Sequence, residues 1–225
     1  MNGASSQRVV RGPSPAEGFV PSRVLILSGE MGEGHNSAAA ALTAAMAEVW
    51  PECVVERYDT LGLRGHRFAQ AASRGYGFQM KRVPRSYDIY YDWLCRSHAV
   101  AAVSKAAIGR FFGVRLEPFL AQHPHDLLIS VFPQASAALD WLRTRRGYRG
   151  PTVTYIPAFH VHPGWTYPGV DRHFVMYDSA ARDARTPGFE ATMRVGAPPV
   201  RDVFGTVSRG DARKALGIDD ERFVV

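Results

Sequence analysis

The run RVLILSG, Arg23–Gly29, limits the possible folds more than any other segment of the chain. Val24 to Leu27 are apolar without alternation, so a strand built from them needs cover on both faces, as in a parallel sheet. A glycine ends the run. After the turn EMGEG an alanine-rich stretch, His35–Val49, carries Leu42, Met46 and Val49 at three- and four-residue spacing, which predicts a helix. Strand, turn and helix in that order make half of a β–α–β unit.

The pattern repeats along the chain. CVVERYD (Cys53–Asp59), DLLISVF (Asp126–Phe132), TVTYIP (Thr152–Pro157), DRHFVMY (Asp171–Tyr177) and MRVGAPP (Met193–Pro199) read as further strands. Leu61 to Gln122 reads as a long helical region, rich in Tyr, Trp and Phe and interrupted at Pro84, and a helix follows the third strand through about Arg145. Strands alternating with helices predict an open, mostly parallel α/β sheet with helices on both faces. GDARKALGIDDERFVV then reads as a helix, a turn and the first residues of another strand, cut at Val225. A strand of that length cannot bury itself. The expectation is therefore a chain that forms the first half of something larger. Residues 1–22 are expected to be a disordered tail, 23–205 one domain, and 206–225 a linker with the start of a second.

Charge narrows the partners without choosing one. A formal net charge of +6 and a pI near 9.6 favour anionic surfaces, including lipid headgroups and sugar nucleotides. No long Lys/Arg run marks a nucleic-acid tail, so nucleic acid is not expected as a partner. No uncharged apolar run reaches the roughly 18 residues that span a bilayer, so a membrane role must be peripheral. Cys53 and Cys95 match no metal or redox spacing and read as reduced thiols of a cytosolic protein.

The turn itself, SGEMGEGHNSAAAAL (Ser28–Leu42), admits three readings. One is a tight turn without a ligand. Another is a dinucleotide fold, with Gly32, Gly34 and Ser37 standing in for G-x-G-x-x-G/A and Asp59 ending the second strand where a carboxylate would hold a ribose. That reading leaves His35 without a task. The third reading gives the histidine work. SGEMGEGHNSAAAAL resembles the opening motif of the monogalactosyldiacylglycerol synthase and diacylglycerol glucosyltransferase family, relatives of the peptidoglycan lipid N-acetylglucosaminyltransferase. Further segments resemble the family in its order: DLLISVFPQASAALDWLR, FHVHPGWTYPGVDRHFVMYDSAAR and VGAPPVRDVF. Where the family commonly has Thr-Asp ahead of its His-Pro pair, this chain has Ile156 and Pro157, so a carboxylate expected near the cleft is missing.

The resemblance implies the N-terminal, Rossmann-like half of a GT-B glycosyltransferase that moves a hexose from a UDP-sugar to a diacylglycerol-type lipid. Inverting transfer needs a base for the acceptor hydroxyl, and histidine suits it because its pKa sits near neutrality. On this reading His35 is the base, and Gly32, Gly34 and Asn36 form the loop that passes close to phosphate or substrate. His162 and Trp165 line the acceptor cleft. Lys81, Arg82, Arg85 and Trp93, within YGFQMKRVPRSYDIYYDWLCR, meet an anionic membrane surface. No cofactor is implied, the UDP-sugar being a substrate held mainly by the second domain, and the chain alone is expected to be inactive. The expected place is the cytoplasm, on the inner face of the cell membrane. His160 and His162 form an H-x-H pair but lack the third ligand of a catalytic metal site, so no metal is expected. The peptidoglycan-type lipid transferase, a dinucleotide-binding oxidoreductase domain and a non-catalytic lipid- or nucleotide-binding module remain the alternatives.

Overall fold

A computed structural model describes residues 18–31, 33–159, 161–183, 192–201, 206–219 and 222–223, apart from the side chains at positions 87, 90, 91 and 98. Six strands form one sheet: β1 (Arg23–Ser28), β2 (Val54–Asp59), β3 (Leu127–Ser130), β4 (Thr152–Ile156), β5 (Arg172–Val175) and β6 (Met193–Val195). Every described pairing is parallel, and the spatial order is β2-β1-β3-β4-β5-β6. The architecture is a Rossmann-like α/β sheet. Its order reverses between β1 and β3, which places the topological switch point there.

The apolar run of β1 is divided between two cores. Val24 and Ile26 enter a cluster with Ala38 and Ala39 of α1 (Glu33–Val49), while Leu25 and Leu27 enter the cluster on the opposite face. β3 repeats the division in register, Val24 beside Leu127, Leu25 beside Leu128 and Ile26 beside Ile129. This is the period-two geometry of a strand covered on both sides.

The opposite face carries α4 (His98–Gln122) packed on α5 (Pro133–Arg146). Their close approach needs two glycines. A Cβ at Gly109 would stand 2.7 Å from the Ala137 carbonyl oxygen, and one at Gly113 would stand 2.4 Å from the Trp141 ring. The long helical region breaks twice, not once. Pro84 occupies the first turn of α3 (Pro84–Arg96), after α2 (His66–Arg82). The second break is at Ser97, whose hydroxyl accepts the Val100 N–H at 3.3 Å and caps α4. A short α6 (Asp178–Asp183) and α7 (Arg209–Ala215) complete the described helices.

Residues 1–17 of the expected tail lie outside the described residues, as do Val224 and Val225 of the expected last strand. Phe19 packs on the α1-side core, and the Ser22 and Arg23 N–H groups donate to Asp126 at 2.8 and 2.9 Å.

Candidate functional site

His35 sits in the first turn of α1, at the carboxyl end of β1. Its Nδ1 lies 2.8 Å from the Val131 carbonyl oxygen, just past the end of β3. A carbonyl only accepts, so Nδ1 carries the hydrogen and, in the neutral ring, Nε2 carries the lone pair. The Val131 bond thus selects the tautomer. Burial pushes the His35 pKa below its ordinary value, partly opposed by the same bond. A neutral imidazole at the switch point, whose Nε2 has no hydrogen-bond partner among the described residues, is the form a general base requires.

The ring is held by neighbours from two turns. Phe132 meets it edge-on at 5.1 Å between centroids, and Trp165 lies 5.9 Å away. Trp165 also lies 6.2 Å from His162, whose Nδ1 accepts the Gly164 N–H at 3.1 Å. Phe132 is fixed from behind. A Cβ at Gly29 would stand 2.6 Å from the Phe132 ring, so the loop after β1 reaches this position only as glycine. Below it, the Ser130, Ser136 and Thr154 hydroxyls form a buried chain at 2.8 and 2.9 Å, and Ser130 also bonds the Phe132 carbonyl at 2.8 Å. Buried hydroxyls need partners, and here they satisfy one another while clamping the turn that holds the Val131 carbonyl.

The other expected site residues are distributed unevenly. Gly34 follows Glu33 at the start of α1, where an added Cβ would meet nothing within 4 Å, and Asn36 is half-buried beside it. Gly32 and His160 lie outside the described residues. His162 and Trp165 are both buried, on a short turn of 3-10 helix, Pro163–Trp165. His162 lines an open pocket with residues of α3, α4 and α5, whereas Trp165 lies in the core beneath β4 and β5. Lys81, Arg82, Arg85 and Trp93 are all exposed, away from the buried core clusters. In the place of the family's Asp, Pro157 follows the buried Ile156 at the end of β4.

Asp59 does not present its carboxylate to a ribose. It accepts from the N–H groups of Glu30 (3.2 Å), Leu61 (3.2 Å) and Gly62 (3.1 Å), capping the 3-10 helix Thr60–Arg64. The acidic residue of the dinucleotide reading is thereby committed to backbone. His173, near the H-x-H pair in sequence, is likewise committed: Nε2 accepts the Tyr167 N–H at 3.2 Å and Nδ1 faces the Thr192 hydroxyl at 3.2 Å. Among the described residues no group of three His, Cys, Asp or Glu is gathered for a metal. Among them too, no helix is long and apolar enough to cross a membrane.

Sequence reading missed Gly29, Phe132, the Val131 carbonyl and the hydroxyl chain. A serine ending an otherwise apolar strand, as in LLIS, is the one signal that pointed to the last. A main-chain carbonyl leaves no mark on the sequence.

Comparison with known proteins identifies the family. A family model described as monogalactosyldiacylglycerol (MGDG) synthase matches residues 35–195. The chain is 26% identical over 223 residues to monogalactosyldiacylglycerol synthase 2, chloroplastic, of Arabidopsis thaliana, covering 88% of this chain and 43% of that protein. It is 27% identical over 221 residues to the chloroplastic monogalactosyldiacylglycerol synthase of Spinacia oleracea, covering 89% of this chain and 39% of that one. It therefore spans less than half the length of these relatives. No solved structure matches it. With the matched segment running from His35 itself to the end of β6, the chain belongs to the MGDG synthase family.

Proposed function

We propose that this chain is the acceptor-side half of an inverting glycosyltransferase of GT-B type, which moves a hexose from a UDP-sugar to a diacylglycerol-type lipid. The observation that carries the reading is the His35–Val131 bond at the β1/β3 switch point, where ligands of open α/β sheets bind. In the proposed step, Nε2 takes the proton of the lipid hydroxyl as that oxygen attacks the anomeric carbon. The sugar–phosphate bond breaks on the opposite face, and UDP leaves with the bonding electron pair. The hydroxyl is a far weaker acid than imidazolium, so proton transfer to His35 gains driving force only as the new bond forms. A base positioned by a fixed backbone partner meets that demand.

The donor belongs to a second domain in this reading, and the acceptor arrives from a membrane. What supports the membrane part is α3. Arg85, Ile89 and Trp93 recur every four residues on one exposed stripe, opposite the buried Leu94, with exposed Phe78, Lys81 and Arg82 at the end of α2. Aromatic and aliphatic groups flanked by cations suit an anionic interface, and the proposed location is peripheral, on the inner face of the cell membrane.

The test is turnover of the full-length protein with a UDP-hexose and diacylglycerol. His35→Ala lowers it about 10²–10⁴-fold, the usual contribution of a positioned base, while the melting temperature changes little. A folded His35→Ala protein with near-normal turnover would sink the proposal.

A further inference from the structure

The peptide unit that orients His35 is gripped at both of its polar ends. Its carbonyl, on Val131, accepts from His35 Nδ1 at 2.8 Å, and its N–H, on Phe132, donates to the Ser130 hydroxyl oxygen at 3.3 Å. No described peptide is cis, so this C=O and this N–H share one plane and point in opposite directions. Whatever fixes one end aims the other. The preceding unit is tied as well, the Val131 N–H donating to the Leu27 carbonyl at 3.0 Å. Rotation of the Val131–Phe132 unit is the freedom left for Ser130 to remove.

Ser130 is itself held. It ends β3 beside its register partner Thr154 of β4, and Ser136 reaches both from the start of α5. All three residues are fully buried. Each hydroxyl has one hydrogen to give, and a carbonyl can only accept. The 2.8 Å bond to the Phe132 carbonyl takes the Ser130 hydrogen. Ser136 must then donate to Ser130 at 2.8 Å, and Thr154 to Ser136 at 2.9 Å. Ser136 also stands 3.4 Å from the Phe132 carbonyl, a longer and weaker alternative. The hydrogens therefore run one way, from Thr154 through Ser136 and Ser130 to the turn, and bonds so aligned strengthen one another. Ser130 is left holding Phe132 on both sides, its N–H and its carbonyl.

We propose that Ser130 is a positioning residue for the base: it aims the Val131–Phe132 peptide so that the Val131 carbonyl keeps His35 in the tautomer with its lone pair on Nε2, while Ser136 and Thr154 hold Ser130 in turn. This role rests on His35 being the base and adds the residues that act through it. Packing alone does not ask for hydroxyls here. Apolar side chains of similar size would fill the space between two strands and a helix with no polar group to satisfy, whereas a buried hydroxyl is costly unless it is bonded.

The test reads the ring directly, by nitrogen NMR of the full-length protein carrying isotope-labelled histidine, with His35→Gln identifying the signals. The wild-type ring shows Nδ1 protonated and Nε2 bare above its pKa. Ser130→Ala moves both signals toward the average of two tautomers. It lowers kcat about 10-fold or more, short of the 10²–10⁴-fold lost with the base itself, and leaves KM nearly unchanged. The acid limb of the rate profile moves to lower pH, because burial already pushes the His35 pKa down and the Val131 bond that pushes it up is weakened. Ser136→Ala and Thr154→Val, which keeps the side-chain shape, give the same changes in decreasing size, and they decide the matter should Ser130→Ala not fold. Folded variants whose His35 signals and pH profile match the wild type, with only the melting temperature lowered, overturn the proposal. The ring signals need no sugar transfer. Signals that shift while His35→Ala keeps normal turnover would end the base reading and leave the control of the tautomer standing.

Discussion

His35 and His125 stand at opposite ends of the β1–β3 pair, and their nitrogens are used differently. At the carboxyl end, His35 commits Nδ1 to the Val131 carbonyl, and among the described residues Nε2 has no hydrogen-bond partner. At the amino end, His125 commits both: Nδ1 to the His123 carbonyl at 2.7 Å and Nε2 to Glu56 at 2.5 Å. Its side chain is fully buried, and the bond from His125 holds the Glu56 carboxyl below its usual range. Two partners fix a ring completely and leave it nothing to do in a reaction. One partner fixes it equally well in orientation and leaves a lone pair. Burial of a histidine is therefore a poor guide to its role, and the count of committed nitrogens is a better one.

The most forceful way to break this comparison is to truncate both rings. Against the turnover loss set out for His35→Ala, His125→Ala leaves turnover per folded molecule unchanged and destabilises the fold by about 1–3 kcal/mol, the range for losing a bond to a charged group. Denaturant melts and turnover on the same preparations check it. Equal turnover losses in the two variants would remove the distinction.

A third histidine sharpens it through pH. Burial lowers His173 to about 4, Lys105 adding to the effect, so the folded chain holds it neutral while the unfolded chain protonates it near 6.5. Between those values the unfolded state binds more protons, so stability rises with pH there. The contribution is complete above about 6.5 and is lost as pH falls through about 4, amounting to roughly 3 kcal/mol over that span. Melts at pH 7 and pH 4.5 show the loss, and His173→Gln flattens it. An unchanged slope in that variant would assign the acid sensitivity elsewhere.

Gly29→Ala tests whether the His35 end is held from behind. The new methyl overlaps the Phe132 ring, which is buried and abuts His35. Relief requires the ring or the loop to move, costing about 1–3 kcal/mol as overpacking usually does, and turnover falls with it. Normal turnover at lowered stability would show that Phe132 does not position the base. The smallest effect is expected at the membrane stripe. Arg85→Ser weakens binding to anionic vesicles by about 1 kcal/mol or less, the contribution of one cation near such a surface, and added salt narrows the difference because the Debye length shrinks. Trp93→Ala weakens binding to neutral and anionic vesicles alike. Vesicle co-sedimentation across a salt series checks both.

The sequence alone determined that the chain forms a mostly parallel sheet. Unbroken apolar runs such as Val24–Leu27 and Leu127–Ile129 can be satisfied only with cover on both faces, whereas β2, VVERYD, and β6, MRV, carry charged residues and are legible only as short runs between turns. It also singled out His35, since a titratable residue behind a glycine turn at a strand end is a local pattern. The helix break at Ser97 was less legible, because a lone serine in a long apolar-basic stretch gives no sign that its hydroxyl will cap. Tertiary structure decided the rest. Only the adjacency of β1 and β3, which lie about a hundred residues apart in the chain, brings the Val131 carbonyl to His35 and so selects the tautomer. Only the fold commits Asp59 to three backbone N–H groups, and only the meeting of β3, β4 and α5 lines up the Ser130, Thr154 and Ser136 hydroxyls behind that carbonyl. The physical reason is range. Burial periodicity and turn chemistry act over a few residues and are written locally, whereas a hydrogen-bond partner or a pocket wall is a property of distances that exist only once the chain has packed.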